Sequence, residues 1–226
     1  KARKYTRMQA QVSHDGVAVE SACFWAGMEA AAFREKNLEA LLEENLHYVG
    51  SRQLMGVFRE IIEFCKDGPD FRAAREYLEK KWGYDKFPGN CHVIPNTALM
   101  LTVLLLGKES FRDAMELCVS AGWDTDCNGG NIGCLNGIRL GLDGLTEEFD
   151  FRGPIADRFY NISADGGACV TDALQQTRRI INLHNRIYQT SYQSCPHRYS
   201  FDVLSAAPRK NHIEDLALQS FPFTTT

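Results

Sequence analysis

Apolar residues at Leu54, Val57, Phe58, Ile61, Ile62 and Cys65 recur at i, i+3, i+4 and i+7, which predicts a helix with one face turned to a core. Ser51 stands where a cap accepts the first free amides, and Gly68 lies just past the end. Asn37 opens a shorter helix through Leu38, Leu41, Leu42 and Leu46, and Asp70 caps another that runs to Trp82 before Gly83. The alanine-rich stretch from Val17 to Phe33, preceded by Ser13, Asp15 and Gly16, predicts a helix in tight contact with others.

From Gly83 to Pro95, glycines and prolines predict a loop of unusual length for a mere connection, and hence a functional candidate. A buried helix is expected from Thr97 to Leu106. Ser110-Phe111-Arg112-Asp113 reads as the capped start of the next helix, which ends at Gly122 beside the acidic pair Asp124 and Asp126. That pair is therefore expected at a helix-to-helix junction. Gly129, Gly133, Gly137 and Gly141 then recur at every fourth position of an otherwise helical segment. An interior glycine weakens a helix by about 1 kcal/mol relative to alanine, so this face implies close approach of another helix or of a ligand. A further helix is expected around Ala173 to Ile187, and the polar end from Pro208 to Thr226 as a docked or frayed tail. No segment alternates with a two-residue period, so the fold reads as all-α. One domain is expected over residues 1–226, with a core over about 5–190 and a tail over 191–226.

The net charge of −4 and pI near 5.9 give no basic surface for nucleic acid. The longest apolar run, Ala98 to Leu106, falls well short of the roughly twenty residues a membrane helix needs. Eight cysteines are scattered without a CxxC pair, so they read as reduced thiols and the chain as intracellular, most simply cytoplasmic.

Asp124 and Asp126, two apart in a turn, can aim both carboxylates at one hard cation. Asp124-Thr125-Asp126-Cys127-Asn128-Gly129 even matches the first half of an EF-hand loop, but the twelfth position is Leu135 where a bidentate Glu is required. The loop therefore lacks two of an EF-hand's oxygen ligands, which disfavours that reading. The following helix start would also offer free amides to an anion.

The segment Gly122-Trp123-Asp124-Thr125-Asp126-Cys127-Asn128-Gly129-Gly130-Asn131-Ile132-Gly133-Cys134-Leu135-Asn136-Gly137 resembles the C-terminal signature of the ADP-ribosylglycohydrolase family, which includes the dinitrogenase-reductase-activating glycohydrolases. Val12-Ser13-His14-Asp15-Gly16 is similar to the family helix that opens on a Thr/Ser-His pair, and His92 to Leu99 extends the likeness. The resemblance implies an orthogonal all-α bundle, two Mg2+ ions (or Mn2+), and hydrolysis of an ADP-ribosyl N- or O-glycosidic bond. ADP-ribose or an ADP-ribosylated protein or small molecule would be the partner. It implies Asp124 and Asp126 as metal ligands, with Cys127 where many members carry a ligating Thr. By the same likeness His14, Gly122, Asn128 and Gly129 would contact the substrate, while the catalytic residue stays unassigned. The family's Thr-Asp-Asp and Gly-Asp motifs do not occur, so the N-terminal helices of the fold are expected to be missing and the site to be partial. A non-enzymatic member that binds ADP-ribose, or serves structurally as crystallins of this fold do, is the alternative.

Overall fold

The computed structural model describes residues 1–146, 149–151, 153–156, 158–160 and 169–192, which fall into two units divided between Phe149 and Asp150. The first unit is helical throughout: α1 (Ala2–Ala10), α2 (Gly16–Ala32), α3 (Leu38–Leu46), α4 (Arg52–Cys65), α5 (Phe71–Trp82), α6 (Val93–Gly107), α7 (Phe111–Ser120) and α8 (Thr125–Thr146). Four caps fall where the sequence puts them, whereas Asp15 before α2 makes no side-chain cap hydrogen bond. Side chains of Asn37, Ser51, Asp70 and Ser110 accept from the amides of Ala40, Leu54, Ala73 and Asp113 at 2.9, 3.2, 2.9 and 3.0 Å.

Helix α6 is buried almost all round, which is what a helix of nearly uninterrupted apolar residues requires. Around it pack Phe24 and Met28 of α2, Leu54, Phe58 and Ile61 of α4, Leu78 of α5, Cys118 of α7, and Ile132 and Leu135 of α8. Phe24 and Phe58 meet at 4.4 Å between ring centroids. Helix α6 starts four residues earlier than Thr97 because Pro95 sits in its first turn, where a missing amide breaks no helical hydrogen bond.

Helix α1 has no counterpart in the periodicity, since none of its residues is buried. Polar contacts attach it to the bundle instead. Arg7 pairs with Glu20 at 2.6 Å, Arg3 bonds the buried Asn45, and the Arg3 guanidinium lies 3.9 Å from the Tyr48 ring centroid.

Cross-contacts fix the directions of three helices. Ser21 of α2 shares a 2.6 Å hydrogen bond with Thr97 of α6, and Asn96 of α6 reaches Asp124 before α8. At the far ends, Lys36 beyond α2 donates to Ile138 of α8 at 2.8 Å, and Arg139 of α8 bonds the Lys108 carbonyl beyond α6. Helices α2, α6 and α8 thus run the same way, with their N-termini at one end.

In the second unit, β1 (Arg158–Tyr160) pairs antiparallel with β2 (Val170–Asp172), and α9 spans Ala173–Tyr188 with Asp172 as its cap, accepting from Gln175 at 2.7 Å. Three-residue strands are too short to show alternation in a sequence. The segment 208–226 lies outside the described residues.

Candidate metal centre

Between α7 and α8 the backbone turns through two consecutive left-handed residues, Gly122 at φ 74° and Trp123 at φ 62°. Glycine adopts this conformation freely, but for Trp123 it costs about 1–2 kcal/mol. Contacts hold the tryptophan there: its ring stacks on Tyr84 at 5.0 Å and 19°, and the Arg75 guanidinium lies 4.3 Å from its centroid. Arg75 also donates to the Ala121 carbonyl at 2.7 Å. Trp123 is half-buried, packed against the core as a structural aromatic would be.

That turn delivers Asp124 to the residue just before α8, where its carbonyl accepts from the Asn128 amide at 2.9 Å. Asp126 and Cys127 lie in the first turn of α8 and are exposed, rather than in a free loop between helices. Asp124, Asp126 and Cys127 each offer a ligand atom, all within 4.8 Å of one another; among the described residues no other such trio of His, Cys, Asp or Glu gathers. The Asp126 carboxyl is held below its ordinary pKa by a hydrogen bond with Asp124, and further by the backbone amides of Asp126 and Cys127. Hydrogen bonding to Asp124 raises the Cys127 thiol, which keeps it protonated and a poor ligand for a hard cation.

Behind the carboxylates lies a buried amide pair. Asn96 and Asn128 are 5% and 1% exposed. The Asn96 side chain donates to Asp124 Oδ2 at 3.4 Å, while its oxygen accepts from Tyr84 Oη at 2.5 Å and from Asn128 Nδ2 at 3.3 Å. Burial pushes the Tyr84 phenol up to about 12, so it remains a hydrogen-bond donor. His92, at the start of α6, accepts from the Ile94 amide through Nδ1 at 3.2 Å and stacks on Phe87 at 4.7 Å. Burial lowers its pKa, consistent with a neutral acceptor ring. The long 83–95 segment therefore flanks the carboxylates through Tyr84 and leads into Asn96. Of these residues, Asn128 is named by the resemblance, and His92 and Asn96 lie in the segment that extends it; Tyr84 carries no signal in the sequence beyond the length of its loop.

The other expected residues are spread out. His14 is exposed, shares a 2.7 Å hydrogen bond with Ser13, and lines an open cleft with Arg7, Glu20, Gly50 and Ser51 that includes none of the three clustered side chains. It precedes α2, so it lies at the same end of the three parallel helices as Asp124. Gly122 shapes the turn, and a Cβ there would meet nothing within 4 Å. Gly129 is buried, its missing Cβ directed at Met115 and Val119 of α7 at 3.7 and 3.9 Å. Gly133 likewise faces Met115, at 3.5 Å, so helix packing accounts for these two glycines; Gly141, at φ 72°, breaks α8 instead.

The donor set fits one hard divalent cation: two carboxylates suffice for Mg2+, which keeps several of its waters, and a protonated thiol adds little. Among the described residues it does not provide for two ions.

An all-α unit with clustered carboxylates at the common N-terminal end of its helices is the architecture these observations define. The ADP-ribosylglycohydrolase family model matches residues 1–190, and the chain belongs to that family, whose members hydrolyse ADP-ribosyl linkages. Searches of curated proteins and of solved structures gave no match. No described helix is long and apolar enough to cross a membrane.

Proposed function

We propose that this chain carries one part of the site of a metal-dependent ADP-ribosyl hydrolase, acting on an N- or O-glycosidic bond to a protein or small molecule. The convergence of Asp124 and Asp126 within 4.8 Å at the exposed start of α8 carries this reading. Asp124 and Asp126 would hold one Mg2+ or Mn2+, and a second ion would need ligands beyond those described here. Held there, the ion would supply Lewis-acid polarisation of ribose hydroxyls and of a water.

The chain's own residues supply the surroundings. The N-termini of α2, α6 and α8 share one end, each carrying about half a positive charge, and so favour the pyrophosphate of ADP-ribose. His14 and Gly122 border that end, and Asn128 braces it from beneath. Gly129 contributes by letting α8 lie against α7. Cys127 offers the ion no useful donor while protonated.

A binding-only or structural role is the second reading, favoured by a donor set sufficient for one ion. The test is release of ADP-ribose from a modified protein and from a small-molecule conjugate, with Mg2+ and with a chelator. Mg2+-dependent release supports hydrolysis. No release on any linkage supports the second reading, with calorimetric binding of ADP-ribose marking a binding role and no heat of binding a structural one.

A further inference from the structure

We infer that Asn96, locked by Tyr84 and Asn128, is a positioning residue that fixes the Asp124 carboxylate for cation binding; this rests on the metal reading above. The orientation of the Asn96 amide follows from its partners. Its oxygen accepts from Asn128 Nδ2 at 3.3 Å and from Tyr84 Oη at 2.5 Å, so its nitrogen must face Asp124 Oδ2, at 3.4 Å. The flipped amide would set nitrogen against nitrogen at Asn128 and oxygen against carboxylate at Asp124. Only one orientation satisfies all three neighbours.

Each neighbour is itself held. Asn128 is 1% exposed on α8, and its amide bonds the Asp124 carbonyl at 2.9 Å, so α8 grips Asp124 through both backbone and side-chain routes. Tyr84 is stacked on Trp123, the residue preceding Asp124, at 5.0 Å. Asn96 rides on α6, the most buried helix of the core. The carboxylate is thus tied to the rigid centre of the bundle through Oδ2. A neutral amide can orient a carboxylate without competing for the cation, since its oxygen is already occupied. Outer partners of this kind typically change metal affinity by about 10–100-fold when removed.

The experiment is titration of the 226-residue chain with Mn2+, read by the electron paramagnetic resonance signal of free Mn2+, for wild type, Asn96→Ala and Tyr84→Phe. Melting in chelator establishes that each variant is folded. The expected result is a Kd for Mn2+ raised about 10–100-fold in Asn96→Ala, and raised by a smaller factor in Tyr84→Phe, which keeps the stacking ring. Unchanged affinity in folded Asn96→Ala overturns the inference while leaving the metal reading intact. If Asn96→Ala does not fold, unchanged affinity in Tyr84→Phe overturns it. Absence of Mn2+ binding by the wild type overturns the metal reading and the inference with it.

Discussion

The two ends of the α2, α6 and α8 group are built on opposite terms. At the C-terminal end the Arg139 side chain is wholly buried and donates to both Glu109 oxygens at 2.8 Å, to the Lys36 carbonyl at 3.1 Å and to Asn136 at 3.2 Å, besides the Lys108 carbonyl. One guanidinium closes the chain beyond α2 and the cap of α6, where helix dipoles favour a cation. At the N-terminal end two carboxylates and a thiol gather with Asp126 and Cys127 exposed, beside a strained tryptophan. At one end a buried guanidinium takes up the free carbonyls, with Asn136 Nδ2 left as a buried donor without a partner; at the other the clustered side chains are open to solvent. Stability and chemistry are thereby assigned to opposite ends of the same helices, and substitutions should separate them.

The largest stability effect is expected at the closed end. Arg139→Ala removes the shared partner of two carbonyls and should lower unfolding free energy by about 3 kcal/mol, measured by urea denaturation. Glu109 is 71% exposed on its side chain, so it regains water and limits the loss. Gly107→Ala comes next, because a Cβ there would lie 2.7 Å from the Ala114 backbone; a loss of about 1–3 kcal/mol is expected. Neither change should alter cation affinity in the protein that remains folded.

Smaller effects refine the picture. Gly122→Ala places a side chain at φ 74° without any clash, so only backbone strain is added, about 1 kcal/mol in thermal or urea unfolding. Gly133→Ala should reverse the sign, with a gain of up to about 1 kcal/mol, since its Cβ would sit in ordinary contact with Met115 at 3.5 Å and alanine is the better helix former. A loss at Gly133 would mean that the face must stay bare for another reason.

How much of this the sequence reveals depends on whether the cause is local. Caps at Asn37, Ser51, Asp70 and Ser110 are legible because each acts on an amide three residues away. The helix faces of α4 and α3 are legible because burial follows periodicity. Helix α1 is not, since its attachment runs through Arg3, 42 residues from Asn45 in the chain. The start of α6 is hidden by Pro95, which reads as loop yet suits a first helical turn. In the site, Asp124 and Asp126 stand out by spacing, whereas Tyr84 joins only through a fold that carries it to Asn96. The glycine stripe shows its periodicity but not its partner, because Met115 lies on another helix.

The central claim is that the open end holds a divalent cation through Asp124 and Asp126 at little expense to stability. Calorimetric titration with Mg2+ of the wild-type chain and of the Asp124→Asn, Asp126→Asn double variant tests it most directly, because asparagine preserves shape while removing both charges. A single bound ion in the wild type and none in an equally stable double variant is the expected result. The same Mg2+ heat in both proteins would contradict it.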